Sequence, residues 1–338
     1  MTSDPKSLAG RRWFALSGPV IGLAGVLALF LVLFAIRGGL GRFVSAANLQ
    51  ILVHGERVTA LAALGALLVI VSGGIDLSIG SVVALVTVAT MLVYIWALGV
   101  TGSKAMASLA AVPAGIGVGG LCGLTNGVLI TRLRVAPFVV TLGMYSAAHG
   151  LAIWLAGGVI LNFPVNAQPG WVDTFATAGS DYTFFDPGVW VALALAGTVA
   201  VLLRYTVLGR YCYAIGSNEA TARLCGVPVE RTRVVIYTLA GLLTGVAGVV
   251  MFAKMKAGDH TAGKGLELTV IAAVVIGGAS LSGGQGTVLG TLLGVLILAV
   301  LDNGVSYCNV PVEVQYIVIG VIIVANTALS QWQRRRAE

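Results

Sequence analysis

The sequence predicts an all-α, polytopic transmembrane helical bundle of about ten spans, a single membrane domain over residues 1–338 with two related glycine-interrupted segments. Three observations predict it. Hydrophobic residues fill 58% of the 338 positions and charged residues only 10%, where a soluble domain carries roughly 25% charged residues. Mean hydropathy is +0.97, so there are too few charges to coat a water-soluble protein of this size, which argues against a soluble enzyme. The apolar residues gather in ten runs, and at roughly 20 residues per crossing the length holds about ten spans plus loops. The 46 glycines follow no Gly-X-Y period, which excludes a collagen-like chain.

The runs are roughly 18–36, 58–72, 79–99, 105–130, 136–156, 188–203, 234–253, 268–281, 286–301 and 314–330. The first follows a basic tail, 1–17, with Lys6, Arg11 and Arg12; it is too long for a signal-peptide core and lacks a small-residue cleavage site, so it reads as a retained span. The second and third are separated only by Ser72-Gly-Gly-Ile-Asp76-Leu-Ser78. The fourth carries Gly115, Gly119, Gly123 and Gly127 four residues apart, and the ninth carries Gly286, Gly290 and Gly294. Such small-residue faces let helix backbones approach closely in lipid. Segments 73–78 and 277–285 read as broken or re-entrant helix, which is tolerated at membrane depth only under a cover of protein or beside a cavity.

Orientation follows from Lys and Arg in the short loops. Arg132 and Arg134, then Arg204, Arg210, Arg223, Arg231 and Arg233, and the 331–338 tail with Arg334, Arg335 and Arg336 are basic, whereas loop 157–187 has no Lys or Arg but contains Asp173, Asp181 and Asp186. Ten alternating crossings with both termini cytoplasmic place every one of these basic clusters inside and the acidic loop outside. Arg37, Arg42 and Arg57, and Lys254, Lys256 and Lys264, then fall outside, against the rule. The net charge of +7 is thereby mostly a topology signal, and no nucleic-acid partner is expected.

Residues 68–80 (LVIVSGGIDLSIG) and 272–284 (AAVVIGGASLSGG) align at Gly73, Gly74, Leu77, Ser78 and Gly80 with Gly277, Gly278, Leu281, Ser282 and Gly284. Paired glycine-interrupted segments in two related halves point to a transport path. The alternating count gives both copies the same orientation, whereas an inverted repeat requires opposite ones. Asp76 interrupts two apolar runs; it is either a polar path or gate residue or a cap, shared with Ser78, for the span that starts at Ile79.

Gly258-Asp-His-Thr-Ala-Gly263-Lys264 has phosphate-loop spacing, but Gly265 stands where Ser or Thr would hold magnesium and no strand precedes it. The histidines, His54, His149 and His260, are scattered, and Cys122, Cys212, Cys225 and Cys308 have no paired spacing. No catalytic site, metal site or bound cofactor is expected on this chain. Within loop 204–233, Ser217 or Asn218 caps a short helix over 219–225, and Gly226 and Pro228 stop it. About seven residues do not hold a helix alone in water, so it must dock on this protein or on a partner.

SGGIDLSIGSVVAL, LRVAPFVVTLG (133–143), GRYCYAIGSNEATARLCGVPVERTR (209–233) and LELTVIAAVVIGGASLSGGQGTVLGTLLG (266–294) resemble the permease subunits of bacterial ABC importers for monosaccharides, the ribose, xylose, arabinose and galactofuranose systems, over roughly residues 45–330. Related autoinducer-2, nucleoside and branched-chain amino acid permeases share parts of the pattern. The resemblance implies two permease subunits, identical or paralogous, in the bacterial inner membrane. It also implies a cytoplasmic ATPase that carries ATP and Mg, and a periplasmic substrate-binding protein. It makes 219–225 the coupling helix, with Ser217, Asn218, Glu219, Ala220, Arg223, Leu224 and Gly226 at the contact. A neutral sugar needs hydrogen-bonding side chains and aromatic or small apolar walls. The path candidates are therefore Ser72, Asp76, Ser78, Asn126, Phe138, Thr141 and Asn303, with Gln315 beside them. The alternatives are an ABC permease for a nucleoside, autoinducer-2 or a branched-chain amino acid, or an ion-coupled secondary transporter, for which Asp76 is almost the only deep carboxylate.

Overall fold

A computed structural model describes residues 5–178, 184–308, 317 and 320, with 5–17 as backbone only. In chain order the helices are α1 (Pro5–Arg37), α2 (Leu40–Phe43), α3 (Ala46–Val71), α4 (Ile79–Thr101), α5 (Lys104–Leu133), α6 (Pro137–Ala156), α7 (Gly170–Ala176), α8 (Pro187–Tyr205), α9 (Val207–Ser217), α10 (Glu219–Leu224), α11 (Val229–Met255), α12 (Leu266–Ile276) and α13 (Val288–Tyr307). Two short strands, β1 (Leu161–Asn162) and β2 (Ala257–Gly258), pair antiparallel, Leu161 with Gly258 and Asn162 with Ala257.

Eight of the described helices are long and apolar enough to cross a membrane. They account for eight of the ten runs; 314–330, apart from 317 and 320, lies outside the described residues, Gln315 included. The run at 268–281 differs. Its helix, α12, has 11 residues, about 16 Å at 1.5 Å per residue, half of a hydrocarbon core of about 30 Å. The missing half is supplied by 256–265. This stretch is not helical, and Ala257, Asp259 and Ala262 within it are buried. The Thr87 hydroxyl of α4 donates to the Asp259 carbonyl (3.0 Å) and accepts from the Asp259 N–H (3.1 Å). Backbone polar groups at this depth persist only where protein satisfies them. The apparent phosphate-loop spacing thus belongs to a buried leader packed on α4, and the sequence reading, which took 256–265 for an external loop, missed it.

The apolar centre is α3, where every residue from Arg57 to Val71 is buried; α11 packs on α3, α4 and α5. The α5–α11 crossing explains the first glycine ladder. A Cβ on Gly119 would lie 2.6 Å from Gly245 Cα, one on Gly123 would lie 2.9 Å from Gly241 Cα and overlap the Tyr237 carbonyl, and one on Gly127 would lie 2.8 Å from Val234 Cα. Backbone here meets backbone, so no rotamer can give way. Gly123→Val is expected to destabilise the protein by about 1–3 kcal/mol, read as a lower thermal midpoint in detergent. Gly117→Val on the same helix, with open space around it, should be neutral; equal effects would refute the packing argument.

The two ends of the bundle differ in charge. The acidic end carries β1, α7 and the start of α8; the basic end carries α9 and α10. Two of the misplaced basic residues are accounted for by partners at the acidic end. Lys256 Nζ lies 2.6 Å from Asp173 Oδ1, and Arg57 Nη1 lies 3.6 Å from Asp186 Oδ2 with both side chains fully buried. Their charges are neutralised locally, so they carry no topological information.

Candidate functional site

Both Gly-Gly pairs end a helix in the same way. After α3, Gly73 takes φ 83°, with Gly73 N–H bonded to Ile70 O (2.9 Å) and Gly74 N–H to Val69 O (3.0 Å). After α12, Gly278 takes φ 89°, with Gly278 N–H bonded to Val275 O (2.9 Å) and Ala279 N–H to Val274 O (3.1 Å). This is the double bond pattern of a Schellman stop, and the left-handed residue favours glycine. The two stops lie together at the basic end, where Gly284 N–H donates to Val71 O at 2.9 Å.

From the first stop, 74–78 turns back into the bundle without helix, and four of the seven path candidates converge there. Asp76 Oδ1 accepts the Ser78 N–H (2.8 Å) and the Ser78 hydroxyl (2.6 Å), and Asn126 Nδ2 donates to Ser78 Oγ (3.2 Å). Thr141 Oγ1 donates to Ile75 O (3.1 Å) and accepts from Leu77 N–H (3.2 Å). Asp76 therefore organises the turn that launches α4, while Ser78 stands at the N-cap with no cap bond of its own side chain. The Asn126 Oδ1 and Tyr237 Oη atoms nearby are buried without a hydrogen bond. The cavity between Asp76, Asn126 and Gly241 measures about 10 Å³, room for about one water and far too small for a sugar.

The other candidates lie apart. The Ser72 hydroxyl bonds back to Val69 O (2.8 Å). Phe138 is exposed on the outer side of α6. Asn303 belongs to the acidic end, where it exchanges amide bonds with Asn48 at 2.9 and 3.0 Å.

At the basic end, α10 forms over the predicted stretch. Asn218, not Ser217, caps it, its Oδ1 accepting the Thr221 N–H at 2.9 Å, and Gly226 follows the stop at φ 81°. Ala222 faces inward against Ile215 and Val229, while Leu224 is 89% exposed. Glu219 accepts from Arg223 Nη2 (2.9 Å) and Arg233 Nη2 (2.5 Å), and Arg223 also pairs with Glu230. Burial alone pushes the Glu219 carboxyl up, but hydrogen bonds from Arg233 and Arg223 outweigh it and hold the group below the ordinary carboxylate range. A depressed carboxyl contributes its stabilisation above its unfolded value and loses it as pH falls through the folded one. This network is therefore expected to stay charged from neutral pH down through the ordinary glutamate value of 4.5. A protease-sensitivity titration of the loop that breaks near pH 6 would refute this. The network, with Ile130, Arg134 and Pro137, borders a cavity of about 670 Å³ between α10 and the α5–α6 turn.

Helix α9, which sequence reasoning missed inside loop 204–233, ties this face to the two stops. A Cβ on Gly216 would overlap Val71 O and lie 2.5 Å from Gly284 N. Gly283 and Gly73 stand against Gly216, and Gly284 against Ser217. Cys212 Sγ lies 3.4 Å from Leu68 O, and Tyr213 Oη donates to Gly286 O at 2.8 Å. The signal for α9 was only the apolar spacing Leu208, Cys212 and Ile215 within a basic loop.

The sequence is similar to known proteins along almost its whole length. The sequence profile of the branched-chain amino acid transport system / permease component family matches residues 49–327. The chain is 37% identical over 322 residues to the ribose import permease protein RbsC of Escherichia coli (strain K12), covering 94% of this chain and 96% of that protein. It is 35% identical over 313 residues to the ribose import permease protein RbsC of Bacillus subtilis (strain 168), covering 91% and 92%. It is 33% identical over 339 residues to the fructose import permease protein FrcC of Rhizobium meliloti, covering 99% and 91%. No solved structure matches. Eight membrane-crossing helices, a face built of short helices beside two stopped spans, and near full-length similarity to import permeases lead to one assignment: this multi-pass membrane protein belongs to the branched-chain amino acid transport system / permease component family.

Proposed function

We propose that the chain is the membrane-spanning permease subunit of an ABC importer that carries a monosaccharide from periplasm to cytoplasm. The observation that carries the proposal is the contact of Gly216 and Ser217, at the end of α9 just before α10, with the first Gly-Gly stop at Val71 and Gly73 and with Gly283 and Gly284 beyond the second. A body docked on α10 moves Gly216 and Ser217, and these press on Val71 and Gly284. Rigid-body transmission of this kind converts closure of a partner into a rearrangement of packed helices. The chain supplies the path and the lever. ATP and Mg belong to a separate cytoplasmic ATPase, substrate delivery to a periplasmic binding protein, and catalysis to neither end of this chain. The basic end then faces the cytoplasm of the inner membrane, with both termini on that side, and a second permease subunit, a copy or a paralogue, completes the channel. The relatives import ribose and fructose by name, which makes a monosaccharide the cargo to test first. Reconstitution in liposomes with an ATPase and a binding protein is expected to give uptake of labelled ribose or fructose that requires ATP. Uptake without the ATPase that follows an ion gradient would overturn the proposal and establish a secondary transporter.

A further inference from the structure

The Asp76 cavity holds about one water, so a sugar does not fit in the described core of one chain at that depth. The outer surface of α6 offers another route. This helix packs on α4 and α5 through Val140, Thr141, Ala148, Ala152 and Ala156. Beside that face, Phe138, Leu142, Tyr145 and His149 fall at i, i+4, i+7 and i+11, on one stripe of a 3.6-residue helix, with Ser146 on its flank. Tyr145 and His149 lie ring on ring, centroids 6.3 Å apart and planes 18° apart. Both are half-exposed, Ser146 is exposed, and among the described residues neither ring makes a hydrogen bond.

Their depth is what makes the stripe informative. Tyr145 and His149 stand 8 and 12 residues after Pro137 in a 20-residue span, about 12 and 18 Å along a helix of about 30 Å. An imidazole at mid-depth rarely faces lipid; such groups face a bundle interior or a water-filled cavity. The near end of the stripe is fastened to the Asp76 turn, since Thr141 bonds Ile75 and Leu77, and that turn begins at the stop on which Gly216 rests. A stripe on this face therefore lies next to the part that the lever moves.

We propose that the Phe138–Leu142–Tyr145–His149 stripe lines the sugar path between this chain and the second permease subunit, with Tyr145, Ser146 and His149 as its specificity-determining contacts. Aromatic faces take the C–H face of a sugar ring, while the phenol, hydroxyl and imidazole exchange hydrogen bonds with its hydroxyl groups. Residues 138–149 contain no carboxylate, lysine or arginine, which matches an uncharged cargo. The inference rests on the sugar-import reading above.

The test uses the full transporter in liposomes, with one cysteine at a time placed in a background in which the exposed Cys225 and the half-exposed Cys122 and Cys308 are replaced by serine, leaving only the buried Cys212. His149→Cys and Ser146→Cys are expected to react with a charged, water-soluble thiol reagent, and saturating labelled ribose with binding protein and ATP should slow that reaction. Leu151→Cys, on the opposite face of α6, should stay unreactive. In parallel, Tyr145→Leu and His149→Leu are expected to lower ribose uptake about five- to ten-fold at unchanged ATPase association and basal ATP hydrolysis. Tyr145→Phe and His149→Gln should recover most of it and change the ratio of ribose to fructose uptake. If wild-type uptake is normal but the cysteines behave like Leu151→Cys, the stripe faces lipid and the inference falls alone. Variants that only separate the two permease subunits, with transport per intact complex unchanged, would make it a packing face and overturn the inference too. A wild-type transporter that carries no monosaccharide overturns the import reading itself, and the assignment to a sugar with it.

Discussion

Deletion of residues 219–225 is expected to abolish capture of the ATPase and to reduce ATP-driven uptake to background, while the chain still inserts in the membrane. The segment contributes one buried side chain, Ala222, to a small satellite cluster with Ile215 and Val229, so the bundle does not depend on it. Its charged groups pair among themselves and with Glu230 and Arg233 at exposed or half-exposed positions, where ion pairs add little to stability. What the deletion removes is a presented surface. Leu224 is 89% exposed at the end of α10, an apolar side chain whose burial only a partner can supply. Leu224→Asp therefore isolates docking from folding. It should leave the thermal midpoint within error and weaken co-purification with the ATPase about thirty-fold, the effect of losing an interface anchor worth about 2 kcal/mol. Unchanged co-purification by both variants would remove α10 from the contact.

The second large effect lies at the other end of the bundle. Arg57→Met should destabilise the protein by about 3–5 kcal/mol, the cost of stranding a buried charge. Asp186 is 1% exposed. One of its oxygens caps α8 through the Gly188 N–H at 2.7 Å, and the other receives His54 Nδ1 at 2.9 Å and Arg57 at 3.6 Å. Arg57 in turn donates to the carbonyls of His54 (2.8 Å) and Phe175 (2.6 Å), so one guanidinium joins α3, α7 and the start of α8. Removal of the cation leaves Asp186 with a cap and one histidine in an apolar setting. Thermal unfolding in detergent measures the loss. Adding Asp186→Asn to Arg57→Met should restore part of it, since the stranded charge then disappears while the α8 cap remains. If the double variant is no better than the single one, the guanidinium acts through packing and not through charge.

Much of this was legible in the sequence because it follows from one-dimensional quantities. Composition excluded a soluble chain, and run length located the spans. A cap at Ser217 or Asn218 and a stop at Gly226 and Pro228 marked a short helix to within a residue. The glycine ladder at 115, 119, 123 and 127 announced a close backbone approach, though not that Gly241 and Gly245 of α11 supply the other side. The path candidates were chosen for polarity within apolar runs, a criterion that carries no information on which of them meet: Asp76, Ser78, Asn126 and Thr141 gather at one turn, while the Asn303 amide serves a distant pair with Asn48.

By itself, then, the sequence determined an all-α membrane bundle, its glycine-marked breaks and the position of the presented short helix, since lipid imposes apolar length and turns impose glycine wherever the chain folds. Only the tertiary structure decided which breaks meet. Gly73, Gly216, Gly283 and Gly284 lie as much as 211 positions apart along the chain, taking 73 from 284, and no periodicity brings them together. It also decided that 256–265 is half a crossing and that Arg57 and Lys256 answer to Asp186 and Asp173. In each case a polar group's free energy is set by the partner that replaces water, and that partner comes from elsewhere in the chain.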